Sequence, residues 1–270
     1  MRTGTPAEEF LALHHGDAPL LMPNPWDAGS ARLLASLGFR ALATTSSGFA
    51  ATLGRLDGSV TRDEALAHAA AVVAAVDVPV SADLEHGFAD APDEVAETVR
   101  LASATGLAGC SIEDSTGRKD DPLYDFGLAV DRVAAAAEAA HGTDGRLVLT
   151  ARAEGVLYGE RDLEPIIQRL QAYQEAGADV LFAPGVIQLD EVRRVVEAVG
   201  LPVNVLVLPG APPVAELAAV GVRRISVGGA FAWAALSAVV DAATELRDRG
   251  TYGYWDRVAG ARSTIRTALG

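Results

Sequence analysis

The sequence has one cysteine, Cys110, in 270 residues, so a single chain can build neither a disulfide framework nor a multi-cysteine zinc site. Lysine is equally scarce, Lys119 being the only one among 22 basic residues. Against those stand 36 acidic residues, for a net charge of −14, and no run of Lys or Arg offsets the balance locally. Such a field repels a phosphate backbone, which makes nucleic acid and anionic membranes poor partners. No stretch reaches the roughly 18 uninterrupted apolar residues of a membrane span, and residues 1–9 have neither the basic nor the apolar region of a secretory signal. A soluble, cytoplasmic protein is expected, the lone thiol suiting a reducing compartment. Disorder is excluded as the main state, because half the chain is apolar and only 21% is charged.

What is present is a repeat of short β-branched or Leu-rich runs and Ala-rich stretches of helical period, the pattern of βα units around a parallel sheet. Eight strands are predicted at 19–22, 41–44, 78–82, 108–112, 147–151, 179–182, 203–206 and 223–227. Helices are predicted from about Ala28, Arg62, Pro92, Leu128, Leu163, Leu189, Val214 and Ala230. Thr61 ahead of Arg62, Asp63 and Glu64 reads as a helix cap, and Gly38, Gly106, Gly177 and Gly221 read as helix ends that feed the next strand. Eight units without a polar linker predict an α/β fold of the closed (β/α)8 TIM-barrel type over residues 1–250. Residues 251–270 exceed what the barrel needs. Trp255, Val258, Ile265 and Leu269 give them a partly apolar helical face that packs on its own barrel or crosses to a neighbour.

In such a barrel the chemistry collects where strands end. The third strand runs into Asp83-Leu84-Glu85-His86-Gly87, where alternation predicts Asp83 and Glu85 on one face, and the fourth runs into Glu113-Asp114. Three carboxylates at one mouth repel each other unless a cation answers them, and oxygen ligands without cysteine or paired histidine suit Mg²⁺ or Mn²⁺. The competing reading is that these acids are solvated or cap the following helices. The fifth strand ends Arg152-Ala153-Glu154, where the guanidinium either clamps a substrate anion or is neutralised by acids such as Glu154. Thr45, Ser46 and Ser47 form a hydroxyl-rich turn after the second strand, able to meet substrate oxygens. Asp27 reads as a helix cap. Residues 115–122, which carry Lys119, form either a loop that closes over the mouth or a solvated surface loop. The turn at Ser226-Val227-Gly228-Gly229 reads as helix packing before it reads as a phosphate site.

The runs Asn24-Pro25-Trp26-Asp27-Ala28-Gly29, Leu53-Gly54-Arg55-Leu56-Asp57, Asp83-Leu84-Glu85-His86-Gly87-Phe88, Ser111-Ile112-Glu113-Asp114, Ala151-Arg152-Ala153-Glu154 and Ala176-Gly177-Ala178-Asp179, in that order, resemble the isocitrate lyase and phosphoenolpyruvate mutase superfamily. The resemblance implies a Mg²⁺-dependent barrel in which Asp83, Glu85 and Glu113 surround the metal, partly through water, and Asp57 supports the site. It also implies that Arg152, with Glu154 beside it, and Thr45, Ser46 and Ser47 bind the substrate. It implies a tetramer that exchanges a C-terminal helix. Members make or break C–C or P–C bonds beside a 2-oxo acid through enolate-like species.

Two departures narrow the expectation. The isocitrate and methylisocitrate lyases carry a Lys-Lys-Cys-Gly-His loop whose cysteine is an acid/base, whereas this chain has residues 115–122 there, and Cys110 precedes Glu113 within a strand. The mutase loop lysine is matched by Lys119, but its downstream Asn is matched by Asp121. The expected activity is therefore C–C cleavage or decarboxylation of a small 2-oxo acid or dicarboxylate such as an oxaloacetate-like one, with Asp57, Lys119 and Arg152 as the catalytic residues. The alternatives are a phosphoenolpyruvate mutase or phosphonopyruvate hydrolase and a noncatalytic 2-oxo acid binding protein. A Schiff-base aldolase fits poorly, because no strand holds Lys119.

Overall fold

A computed structural model describes residues 4–142 and 146–270. Residues 1–3, the start of the segment read for a signal, lie outside the described residues. The strands are β1 (Leu20–Met22), β2 (Leu42–Ala43), β3 (Val80–Asp83), β4 (Gly109–Glu113), β5 (Val148–Arg152), β6 (Val180–Phe182), β7 (Val203–Leu206) and β8 (Arg224–Ser226). They pair in parallel in the order β1-β8-β7-β6-β5-β4-β3-β2. The remaining gap, between β1 and β2, is bridged where the Ala43 N–H donates to the Pro23 carbonyl at 3.2 Å and the Asn24 amide donates to the Thr44 carbonyl at 3.0 Å. The expected TIM-type barrel is thus present.

The helices are α1 (Pro6–Leu13), α2 (Ala28–Ser36), α3 (Ser46–Thr52), α4 (Arg62–Ala75), α5 (Pro92–Ser103), α6 (Phe126–His141), α7 (Leu163–Glu175), α8 (Leu189–Ala198), α9 (Val214–Ala219), α10 (Ala230–Arg249) and α11 (Tyr254–Leu269). Seven predicted starts coincide with these, and α6 begins two residues early. The caps are those the sequence announces: Thr61 forms a reciprocal capping box with Glu64, and the Asp27 carboxylate accepts from the Ser30 N–H at 2.6 Å. Gly38, Gly106, Gly177 and Gly221 all take the left-handed conformation that ends a helix.

Strand alternation splits the apolar residues in two. Leu147, Leu149 and Ala151 of the β5 region, with Leu181 and Val205, face outward and meet the inner faces of α5 to α8, the main core. Facing inward at the lower end, Leu20, Met22, Ala41, Ala108, Val148 and Val180 meet Phe10 and Leu13 of α1, which plugs the floor. Phe10 is fully buried, contributing about 1.5–3 kcal/mol by transfer from water. It fits only because residue 109 is glycine: a Cβ there would stand 2.8 Å from the Phe10 ring. His14, at the end of α1, gives one ring nitrogen to the Phe10 carbonyl at 2.8 Å and leaves Nε2 without a partner.

The two last helices contrast with the rest. Along its 20 residues α10 buries only Ala232, leaving Trp233, Val239 and Val240 exposed. Gly250 ends it in the left-handed conformation, and α11, which lies alongside α2, buries no residue. Among the described residues no helix is long and apolar enough to cross a membrane.

Candidate active site

Register brings the acids to one arginine. Glu113 and Arg152 are direct partners across β4 and β5, and Asp83 pairs with Ser111 across β3 and β4, so all three side chains emerge at the same rim. Arg152 Nη1 lies 3.0 Å from Asp83 Oδ1, Nη2 lies 3.1 Å from Glu113 Oε2, and Nε donates to Glu154 Oε1 at 2.9 Å. The sequence reading offered an anion clamp or an arginine neutralised by acids; in this structure the guanidinium is engaged by three carboxylates.

Two local expectations are corrected. Strand alternation is not what brings Glu85 to Asp83, because β3 stops at Asp83 and Glu85 adopts a left-handed φ of 48°, yet its carboxyl still feels the charges of Asp83, Asp57 and Arg152. Its carbonyl instead accepts from the Glu113 N–H at 3.0 Å, and the strained turn through Gly87 and Phe88 swings the chain across the mouth. Thr45, Ser46 and Ser47 are not a turn but the opening of α3, with Thr45 as N-cap. Serine and glycine have modest helix propensity, which hides this helix from the sequence pattern. Its first turn still faces the site, since the Ser46 N–H donates to Asp83 Oδ2 at 3.3 Å.

Asp83, Arg152 and Ser46 line a cavity of about 210 Å³ with Asp57, Thr45, Ser47, Asn204 and Arg224. A larger hollow of about 530 Å³ lies between α1 and the segment that follows α2, beside Leu13, Leu20 and Leu37, and none of the clustered acids lines it. Around the mouth, Asp83, Glu113 and Glu154 contact one guanidinium, and Asp57 and Glu85 lie within reach of its charge. Burial pushes Glu85 up to about 8, the charges of Asp83 and Asp57 adding to the effect. Burial likewise raises Glu113 well above the carboxylate range, with Arg152 opposing it, and raises Glu154. Asp57 is raised by the same cause. Among the described residues no three acid, imidazole or thiol side chains form a ready-made metal cluster.

The chain is matched over residues 10–247 by the sequence profile of the phosphoenolpyruvate phosphomutase family. The chain belongs to that family. A structure from Burkholderia cenocepacia J2315, of provisional lyase/mutase assignment, is 52% identical with a TM-score of 0.93, covering 96% of this chain and 94% of its own. An uncharacterized protein of Mycobacterium tuberculosis is 36% identical over 241 residues, 88% of this chain and 89% of the relative. The oxaloacetate decarboxylase of Chromohalobacter salexigens is 31% identical over 252 residues, 89% of this chain and 85% of that enzyme. A chain so placed among lyases and mutases is an enzyme of that kind.

Within this family member, Lys119 is exposed and makes no ion pair among the described residues, while the base of its loop is anchored. Ser115 Oγ lies 2.9 Å from Tyr158 Oη, the Thr116 N–H donates to the Pro122 carbonyl at 2.9 Å, and Arg118 pairs with Asp90 at 3.1 Å. Cys110 faces the outer core, and burial pushes its thiol up to about 12. The Val227 and Gly228 N–H groups both donate to Asn24 Oδ1, so the glycine turn after β8 serves closure of the barrel.

Sequence reasoning missed two groups. Asp114, given no role of its own from the sequence, is 2% exposed and accepts from the Tyr173 hydroxyl at 2.7 Å, Arg169 at 3.1 Å and the Glu154 N–H at 2.7 Å, which holds Glu154 against Arg152. Arg224 was passed over although alternation from Ser226 turns it inward. Burial, with the charge of Arg152 adding to it, lowers Arg224 to about 9.

Proposed function

We propose that the protein is a divalent-metal-dependent C–C lyase or decarboxylase of a small 2-oxo dicarboxylate, of the oxaloacetate type. One observation carries the reading: three carboxylates, Asp83, Glu113 and Glu154, contact the Arg152 guanidinium at the strand ends, with Asp57 and Glu85 close enough to feel the same charges. That donor set fits Mg²⁺ or Mn²⁺, because buried oxygen acids in excess of their counter-charge are what a hard cation stabilises. Asp83, Glu85 and Glu113 would hold the ion, in part through water, with Asp57 supporting them. When bound, it supplies an electron sink at the 2-oxo oxygen of the substrate.

The chain's own residues supply the rest. The Ser46 N–H and the Thr45 and Ser47 hydroxyls, at the opening of α3, receive substrate oxygens. Arg152 orients the substrate carboxylate while Glu154, fixed by Asp114, keeps the guanidinium in place. In decarboxylation the C–C bond breaks with its electron pair left on the 2-oxo fragment, CO₂ departs, and a proton is taken up at carbon. Lys119, with its loop closed, excludes water and adds positive charge over the mouth.

The similarity to an oxaloacetate decarboxylase supports C–C cleavage, and the family's mutase name and Lys119 keep a P–C reaction as the second reading. The test is a turnover screen of 2-oxo acids and phosphonates with and without Mg²⁺, followed by carbon and phosphorus NMR. Magnesium-dependent loss of CO₂ from oxaloacetate is expected. A phosphorus-containing product alone favours the mutase, and tight binding without turnover favours a 2-oxo acid sensor. The exposed apolar side chains of α10 further support a homotetramer exchanging C-terminal helices. Deleting 251–270 is expected to yield a smaller particle by light scattering, and an unchanged assembly rejects this. The buried, unpaired Cys110 suits a cytoplasmic setting, which fractionation of cells tests.

A further inference from the structure

Below the mouth the barrel interior holds a second cation, Arg224, and its surroundings differ from those of the buried structural arginine Arg132. Arg224, on β8 and 3% exposed, donates from Nη1 to Thr150 Oγ1 at 2.9 Å, while its Nε has no partner. No carboxylate pairs with it among the described residues. Its neighbour in register, Asn204, is 1% exposed and donates to Ser226 Oγ at 2.9 Å, leaving its Oδ1 without a partner. Arg132 shows what a structural guanidinium looks like here: its Nε is likewise unpartnered, but its terminal nitrogens are taken by three carbonyls, of His86, Ala89 and Asp90, it lies over the Tyr124 ring at 3.9 Å, and it lines no part of the cavity.

Arg224 is also not sealed off. It lines the cavity that contains Arg152 and Asp83, in company with the hydroxyl residues Ser81 and Ser111. Thr150, which holds Arg224, and Arg152 stand two residues apart on the inner face of β5, a rise of about 6.6 Å. That is the reach of a short dicarboxylate with its terminal oxygens. A buried cation without a counter-ion, at the bottom of a cavity open to the reaction site, is a specific receptor for negative charge.

We propose that Arg224 anchors a second carboxylate of the substrate, so that the cavity takes a small dianion lengthwise, one acidic end at the mouth beside Arg152 and the other on Arg224. The inference rests on the 2-oxo acid reading and refines it, since it selects dicarboxylates over monocarboxylates of equal length.

The test compares malate with 2-hydroxybutyrate, equal in carbon number and unable to decarboxylate as 2-oxo acids do, by calorimetry in excess Mg²⁺. Wild-type protein is expected to favour malate by at least about tenfold. Arg224→Met, of similar length, is expected to remove that preference while leaving 2-hydroxybutyrate binding within about twofold, and Arg224→Lys to retain part of it. A malate preference that survives in Arg224→Met overturns the assignment, as does its absence in wild type when 2-hydroxybutyrate binds. If wild type binds neither acid, the 2-oxo acid reading falls, and malonate then decides for Arg224 as a plain dianion. Malonate raising the melting temperature of wild type but not of Arg224→Met upholds the anion site; equal shifts, or none in wild type, overturn it. Arg224→Gln is measured in the same way should the Met variant fail to fold.

Discussion

On the β3–β5 side of the barrel, Arg152 is outnumbered by Asp83, Glu113 and Glu154; on the β7–β8 side, Arg224 has only the Thr150 hydroxyl. Both guanidiniums are buried within one cavity, yet the first is held in place by its partners and the second keeps an unused donor. The difference teaches that this interior is polarised along its axis, with acid in excess at the mouth and cation in excess beneath. A structural role explains neither excess, because a folded chain stabilises itself by pairing buried charges with each other. A ligand set composed of a hard cation and a dianion answers both.

The largest expected effect is on the acid side. Asp83→Ala combined with Glu113→Ala is expected to weaken Mg²⁺-dependent binding of a 2-oxo acid by at least about a hundredfold, close to 2.7 kcal/mol. Calorimetry with the folded double variant checks it, and wild-type affinity would remove the metal assignment from this rim. An intermediate effect falls on the loop above both regions. Lys119→Ala is expected to lower kcat by about tenfold, some 1.4 kcal/mol of barrier, while Cys110→Ser leaves it unchanged. Steady-state kinetics reversing that order would show that Cys110, and not the Lys119 loop, contributes to turnover.

The smallest effect sharpens the cation side. His14 is pushed down to about 3, chiefly by burial and then by the charge of Arg224, with His15 adding to it, so it stays neutral in the folded chain. An unfolded chain takes up that proton near the ordinary value of 6.5. Stability is therefore complete above that pH and is lost as pH falls from there toward 3. Between pH 8 and pH 6 the loss from this group is about 0.8 kcal/mol. Urea unfolding at the two values is expected to show a flatter pH dependence in His14→Leu than in wild type; equal slopes would mean that His14 titrates normally.

Most of the barrel was legible because its signals are local. Strand runs, caps such as Thr61 and glycines such as Gly38 lie within a few residues of the feature they specify. Asp83, Glu113 and Glu154 were legible for the same reason, since each stands at or just past a strand end, whereas Asp57, beyond α3, was reached only through the family resemblance. What escaped depends on contacts between distant residues. The φ of Glu85 is held by Glu113 across a strand pair, and the burial of Asp114 depends on Tyr173 and Arg169, more than 50 residues away. Helix α3 was hidden by its composition, and α1 by the weakness of a short amphipathic segment ahead of the first strand. Arg224 was readable in principle, since period two from Ser226 turns it inward, but a charged residue beside Arg223 reads as surface until the barrel is closed.

The closure itself bears on how the chain is made. Leu20 pairs with Arg224, and the Asn24 side-chain oxygen accepts from the backbone at Val227 and Gly228. On a ribosome the first strand therefore emerges long before its partner exists, and α1 has no finished floor to plug until β8 has followed. During synthesis the apolar residues Phe10, Leu20 and Met22 wait unpaired while about 200 further residues are added. Completion of the eighth strand is thus the event that ends their exposure, and a holding chaperone has most to cover just before it emerges.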